Sequence, residues 1–283
     1  MRLLGIGVCC FAILESVAGQ ASAQQDSRPQ FEVASIKPSS PDARGMFISP
    51  GPGGGVRITN MTLKEMIVLG WRVQPFQVSG GPSWLDSVHY DVVAKPEAKP
   101  KQDELAVMLQ ALLADRFQLV IRRETKELPL FALVLARKDG KLGSKLVPHE
   151  GDCTPPDPSK PPPPPEPGKP PALFCGGMMM GPRGMNAIGV PIANLLPMLS
   201  RILATKVVDK TGLTGNFDVS AEWAQDESVS LGLPQGLPPA PPSDTTGPSI
   251  FTALQEQLGL KLESQKGPVE ILVVDRAEKP SEN

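Results

Sequence analysis

Two pairs of segments recur in the same order along this chain, and that repetition constrains the fold more than any other feature. YDVVA (Tyr90–Ala94) returns as FDVSA (Phe217–Ala221), and PLFALVLAR (Pro129–Arg137) returns without a gap as PVEILVVDR (Pro268–Arg276). The offsets are 127 residues (90 to 217) and 139 residues (129 to 268), a difference that the Pro/Gly-rich insert 225–248 readily supplies. Collinear self-similarity is the signature of a repeated structural unit, so two related halves are expected.

The apolar rhythm fills in the elements. Leu63, Met66, Ile67, Gly70 and Trp71 follow the spacing of one buried helical face, with Thr62 and Glu65 placed as a capping box. Leu105, Met108, Leu109 and Leu112 repeat the rhythm after Asp103, a suitable N-cap. A third helix is marked by Ile192, Leu195, Leu196, Leu199 and Ile202 after Pro191, where Pro197 requires a late start or a bend. The fourth carries Ile250, Leu254 and Leu258 between Ser249 and Gly259. Each helix leads into strand, turn and strand: FQLVIRR and PLFALVLA around Glu124–Leu128, LKLES and PVEILVV around Gln265–Gly267, and KVV and FDVSA around DKTGLTGN. The expectation is an α+β fold of two halves, each with two helix–strand–strand (αββ) units and small mixed or antiparallel sheets. FEVASIK (Phe31–Lys37) is an additional edge strand, ended by Pro38. On it Phe31, Val33 and Ser35 face one side and Glu32, Ala34 and Ile36 the other; the strand either offers a backbone edge to a partner strand or merely completes its own sheet.

The N-terminus has the grammar of an export signal: Arg2, an apolar run Leu3–Leu14, then Ala21-Ser22-Ala23. Cleavage after Ala23 is expected, and the run is too short for a membrane span, which takes about 20 residues. The expected organisation is then a signal at 1–23, a first half at 24–150, a proline-rich linker at 151–183 and a second half at 184–283, with the insert loop at 225–248. Cleavage leaves Cys153 and Cys175, which in an exported chain are expected to form a disulfide across the proline run. The 28 basic and 30 acidic side chains nearly cancel, so no field for nucleic acid arises. Their distribution is uneven: residues 31–150 hold 16 basic and 13 acidic groups, residues 184–283 hold 7 and 12. Docking of the halves through opposite charge and a solvated asymmetry are both compatible with this.

Familiar catalytic patterns fail for want of context. Asp209-Lys210-Thr211-Gly212 matches the phosphorylated D-K-T-G of cation-pumping ATPases, but no nucleotide domain or transport domain accompanies it. Lys210-Thr211-Gly212 matches the K-T-G strand of penicillin-binding enzymes, but no Ser-x-x-Lys follows residue 23. The stretch is read instead as a corner between two strands, with Gly212 and Gly215 supplying positive φ. GPGGGV (51–56) leads into a strand and lacks the helix N-terminus of a phosphate cradle. Asp91 and Asp218 hold matched positions and are read as hydrogen-bond acceptors rather than an acid–base pair. Only His89 and His149 are available as base or ligand, and His89 reads as a surface strand residue. Met178, Met179 and Met180 are consecutive, which suits an apolar hinge better than a Cu(I) site. No catalytic, cofactor or metal set emerges.

FEVASIKP, MLQALLADRFQLVIRRETKELPLFALVLA, VVDKTGLTGNFDVSAEW and IFTALQEQLGLKLESQKGPVEILVVDRAEKPSEN together resemble the soil-associated secreted bacterial protein family, filed as a domain of unknown function. That resemblance implies export and the helix–strand–strand organisation and brings no catalytic residues. In some relatives it implies fusion to an antirepressor-type membrane metallopeptidase. The αββ units also look like the short N-terminal modules of secretins and TonB-dependent receptors. The expected function is that of a secreted or periplasmic, non-enzymatic module contacting an unknown protein or peptide partner of the envelope. An envelope hydrolase and a glycan-binding module, the latter using Trp71, Trp84, Trp223 and Tyr90 as stacking surfaces, are the alternatives.

Overall fold

The computed structural model describes residues 29–101, 103–153, 173–181, 183–224 and 247–280. The expected signal at 1–23, the proline run between the cysteines and most of the 225–248 insert lie outside them. Along the chain come β1 (Phe31–Pro38), β2 (Phe47–Pro50), β3 (Val56–Thr62), α1 (Leu63–Trp71), β4 (Val78–Gly80), β5 (His89–Pro96), α2 (Glu104–Arg116) and β6 (Val120–Leu135). Then follow β7 (Leu146–Pro148), β8 (Met178–Gly181), β9 (Gly184–Val190), α3 (Leu196–Ile202), β10 (Val207–Asp209), β11 (Phe217–Glu222), α4 (Ile250–Ala253) and β12 (Leu260–Arg276). Two antiparallel sheets have the orders β1-β5-β3-β2 and β7-β11-β9-β8, and a mixed sheet has the order β10-β6-β12-β4. The fold is α+β. Position by position, the strand order of the first sheet is that of the second.

α1 and α4 start where a side-chain cap and apolar periodicity coincide, whereas Asp103 makes no capping bond to α2 and accepts from Arg72 (2.9 Å) instead. Thr62 Oγ1 accepts from Glu65 N–H (3.2 Å) while Glu65 Oε2 accepts from Thr62 N–H (2.7 Å), completing the capping box of α1. Pro197 makes α3 start late: a tight turn at Ile192–Leu195 precedes the helix, and the proline falls in its first turn, where no N–H is needed. Ser249 caps α4, which widens over Leu254–Leu258 and stops at Gly259.

Two expected turns are absent. Glu124–Leu128 and Gln265–Gly267 are interior to β6 and β12, which pair antiparallel along nearly their whole lengths with Leu128 opposite Gly267. The polar residues there mark the middle of a long ribbon between two cores rather than a reversal. Pro129 and Pro268 are tolerated because β10 pairs with β6 only at Phe131–Leu133 and β4 with β12 only at Leu272–Val274. The second and fourth expected αββ units are therefore a helix followed by one long strand.

The ribbon joins the two cores. Beneath the first sheet, Ile58, Met66, Ile67, Leu109, Leu113 and Phe117 pack with Leu272 and Val274 from the far end of β12. Beneath the second, Leu199, Val219, Leu254 and Leu258 pack with Leu133 from the far end of β6. The uneven charges also meet on the ribbon, where Arg122 pairs with Asp275 (3.0 Å) and Arg123 with Glu270. These groups are exposed and screened by solvent, so the pairs add little stability.

Other boundaries shift as well. β7 and β8, at positions assigned from sequence to the first half and the linker, are strands of the second sheet, so Met178–Met180 is strand rather than hinge. β1 is an edge strand as expected, antiparallel to β5, but a register shift between Phe31 and Val33 breaks its alternation. Phe31 therefore joins Ala34 and Ile36 against the core, while Val33 remains 59% exposed.

The DKTG stretch is the corner linking β10 to β11. Asp209 Oδ1 accepts from Thr211 N–H (2.8 Å) and Thr211 Oγ1–H (2.7 Å), and Gly212 follows at φ 71°. Asp209→Asn keeps an acceptor and is expected to change stability little. Gly212→Val, which forces a β-branched residue into the left-handed region, is expected to cost about 1–2 kcal/mol in urea denaturation. Equal midpoints for the two variants would remove the turn as the reason for this sequence.

Candidate functional site: a carboxylate, an imidazole and a disulfide at a strand bulge

Tyr90 and Phe217 point into the two cores, so strand alternation turns Asp91 and Asp218 to the opposite faces of their sheets. Opposite each carboxylate the neighbouring strand is bulged, β3 between Ile58 and Met61 and β9 opposite Phe217–Val219. The bulges contain Asn60 and Gly189, with φ 56° and 62°. Each sends its N–H to the carboxylate: Asn60 to Asp91 Oδ1 and Gly189 to Asp218 Oδ1, both at 2.8 Å. The same oxygens take a second donor from the residue just past the edge strand. Ser39 Oγ donates to Asp91 at 2.7 Å, and His149 Nδ1 lies 2.7 Å from Asp218. The two carboxylates thus act separately, each fastening a bulge and an edge strand in its own sheet.

Beyond that shared frame the second half differs. Asn60 uses its side chain to donate to Gly45 O (3.1 Å). Gly189 has no side chain, and the space holds the Cys153–Cys175 disulfide, with Cα atoms 5.2 Å apart. A Cβ on Gly189 would overlap both sulfurs. Cys153 Sγ lies 3.3 Å from Gly189 O, and His149 Nε2 lies 3.5 Å from Cys175 Sγ. Because an ionised carboxylate only accepts, Nδ1 of His149 donates to Asp218, and this bond turns Nε2 toward the sulfur. The imidazole is 15% exposed and the Asp218 side chain 45%. His149 and the two sulfurs place one donor atom each within 4.8 Å of one another. Sulfurs bonded to each other offer no thiolate, however, so in this state the trio is a disulfide beside an imidazole and not a metal centre.

Next to Asp218 lies a shallow groove of ≈ 480 Å³, lined among others by Lys145, Val147, Leu173, Met179, Asn186 and Ser220. Of the residues singled out from sequence, the structure brings Cys153 and Cys175 together. Val33 and Ser35 lie on the outer face of the other sheet. His89 is exposed at the start of β5. The proposed sugar-stacking surfaces are occupied: Tyr90 and Trp223 are buried, and Trp71 packs on the first core. Trp84 lies against Phe117 (6.4 Å) with Lys279 near its ring (6.0 Å). Burial also pushes the Tyr90 phenol above its ordinary pKa. The sequence offers His149 as an available histidine but not its role, because its partner Asp218 is 69 residues away. The one available signal was the parallel between Pro38-Ser39 and Pro148-His149, each closing an edge strand.

A family model described as Protein of unknown function (DUF3738) matches residues 64–277, more than half of the chain. The chain belongs to this family. The matched span runs from α1 to the end of β12 and includes Asp91, His149, both cysteines, Gly189 and Asp218. No curated protein matches, and no solved structure does. Among the described residues, no helix is long and apolar enough to cross a membrane.

Proposed function

We propose that this DUF3738 chain is an exported, non-enzymatic binding module of the soil-associated secreted type. On this reading its two halves descend from one duplicated unit, and it contacts a protein or peptide partner in the envelope or outside the cell. The observation that carries this reading is the state of β1. That strand is hydrogen-bonded to β5 along one side only among the described residues, and it shows Val33 59% exposed on its outer face. An extended partner segment added there gains main-chain hydrogen bonds without any catalytic group. Phe31, turned into the core, supports the strand from behind, while Val33 and Ser35 meet the partner. The glycan alternative finds Tyr90 and Trp223 buried and Trp71 packed on the first core.

A photo-crosslinking amino acid in place of Val33, with the exposed Lys141 position as control, tests this in native envelope material. One discrete protein adduct is expected at 33 and not at 141, reduced at least tenfold by competition with unlabelled wild-type protein but not with Val33→Lys protein. Identical adduct patterns at both positions would overturn the edge-strand reading.

A further inference from the structure

The first half shows what the bulge alone requires, because Asp91 fastens it with a serine and no disulfide lies beside it among the described residues. The second half keeps the carboxylate and the bulge N–H, then adds an imidazole whose Nε2 faces one sulfur of a disulfide. A serine at position 149 would satisfy Asp218 equally well, so fastening the strand does not account for the imidazole. Its second nitrogen is held 3.5 Å from Cys175 Sγ by a carboxylate already fixed through Gly189. Both cysteines are partly exposed among the described residues.

We propose that Cys153–Cys175 is an exchange-active disulfide for thiol substrates, with Cys153 as the attacked sulfur and Cys175 as the leaving group stabilised by His149. An external thiolate attacks Cys153 Sγ, forming a mixed disulfide as the Cys153–Cys175 bond breaks. The electron pair of that bond goes to Cys175 Sγ. His149 Nε2, protonated from solvent, sits beside the new thiolate as an imidazolium, and Asp218 holds the Nδ1–H that orients the ring. A second external thiol then attacks the mixed disulfide and releases the external disulfide and the Cys153 thiol. Two external thiols are oxidised and one protein disulfide is reduced. A better-stabilised leaving thiolate accelerates the first step, and a stabilised reduced form makes the pair more oxidising. The direction of attack follows from the neighbours, since Cys175 faces the imidazole whereas Cys153 faces the carbonyl of Gly189, which offers a thiolate nothing.

The test uses the whole chain equilibrated in glutathione redox buffers at neutral pH, quenched by alkylation and read by mass spectrometry. His149→Ser is the decisive variant, because it reproduces the Ser39–Asp91 bond of the first half and preserves the strand fastening; circular dichroism checks its fold. Wild type is expected to be reduced about tenfold more readily than His149→Ser, in both rate and equilibrium, as for other thiolates beside a cationic histidine. Independently of any variant, a limiting pulse of glutathione on the wild type is expected to place the glutathione on Cys153 and leave Cys175 to the alkylating agent. Equal reduction of the two proteins, glutathione found on Cys175, or a disulfide that reduces only on denaturation would each overturn the proposal.

Discussion

Leu272→Ala, a change near the C-terminus, is expected to destabilise the core built by the first half of the chain by about 2–5 kcal/mol, the usual cost of truncating a fully buried leucine. Leu272 is fully buried among α1, α2 and the first sheet, to which β12 delivers it after crossing from the second half. Leu133→Ala should do the reciprocal damage, since β6 carries that residue into the second core. Because one ribbon serves both cores, the two halves are expected to unfold together. Urea denaturation checks this with fluorescence from Trp84 in the first core and Trp223 in the second, each followed in a variant with the remaining tryptophans replaced by phenylalanine. Both probes should give one midpoint, shifted equally by Leu272→Ala. Two separate midpoints, with only the Trp84 transition moved, would show that the ribbon does not couple the cores.

Gly189→Ala is expected to be nearly as damaging, at about 3 kcal/mol, although it adds a single methyl group. Two costs combine: an alanine at φ 62° is strained, and its Cβ would overlap Cys153 Sγ and Cys175 Sγ. Any backbone shift that relieves the overlap also pulls the Gly189 N–H from Asp218. The same substitution in a Cys153→Ala/Cys175→Ala background should cost only about 1 kcal/mol, because the sulfur overlap is gone and the φ strain remains with a closer contact to His149 Cδ2 (3.3 Å). A cost that is the same in both backgrounds would mean that the sulfurs do not dictate glycine here. The matched position tolerates Asn60 at φ 56°, since no disulfide fills its surroundings.

What the sequence determined by itself is what local chemistry and periodicity encode. The four helices, the capping box at Thr62, the interruption at Pro197 and the α+β class follow from residue types at fixed spacing, whereas the expected pairing of Cys153 with Cys175 rests on reading the chain as exported. So does the acceptor role of Asp91 and Asp218, which two copies of one strand motif made legible. What only the tertiary structure decided are the features that depend on partners distant in sequence. Glu124–Leu128 looks like a turn because its residues are polar, yet polarity reports exposure and not reversal; pairing with Gly267–Ile271 keeps it extended. Phe31 faces the core because one bulge reverses a period-two pattern, and nothing within FEVASIK signals the bulge. His149 becomes more than a surface histidine only when the second sheet carries Asp218 to its Nδ1 and the disulfide brings Cys175 to its Nε2. Each partner lies at least 26 residues away, beyond what spacing along the chain can report.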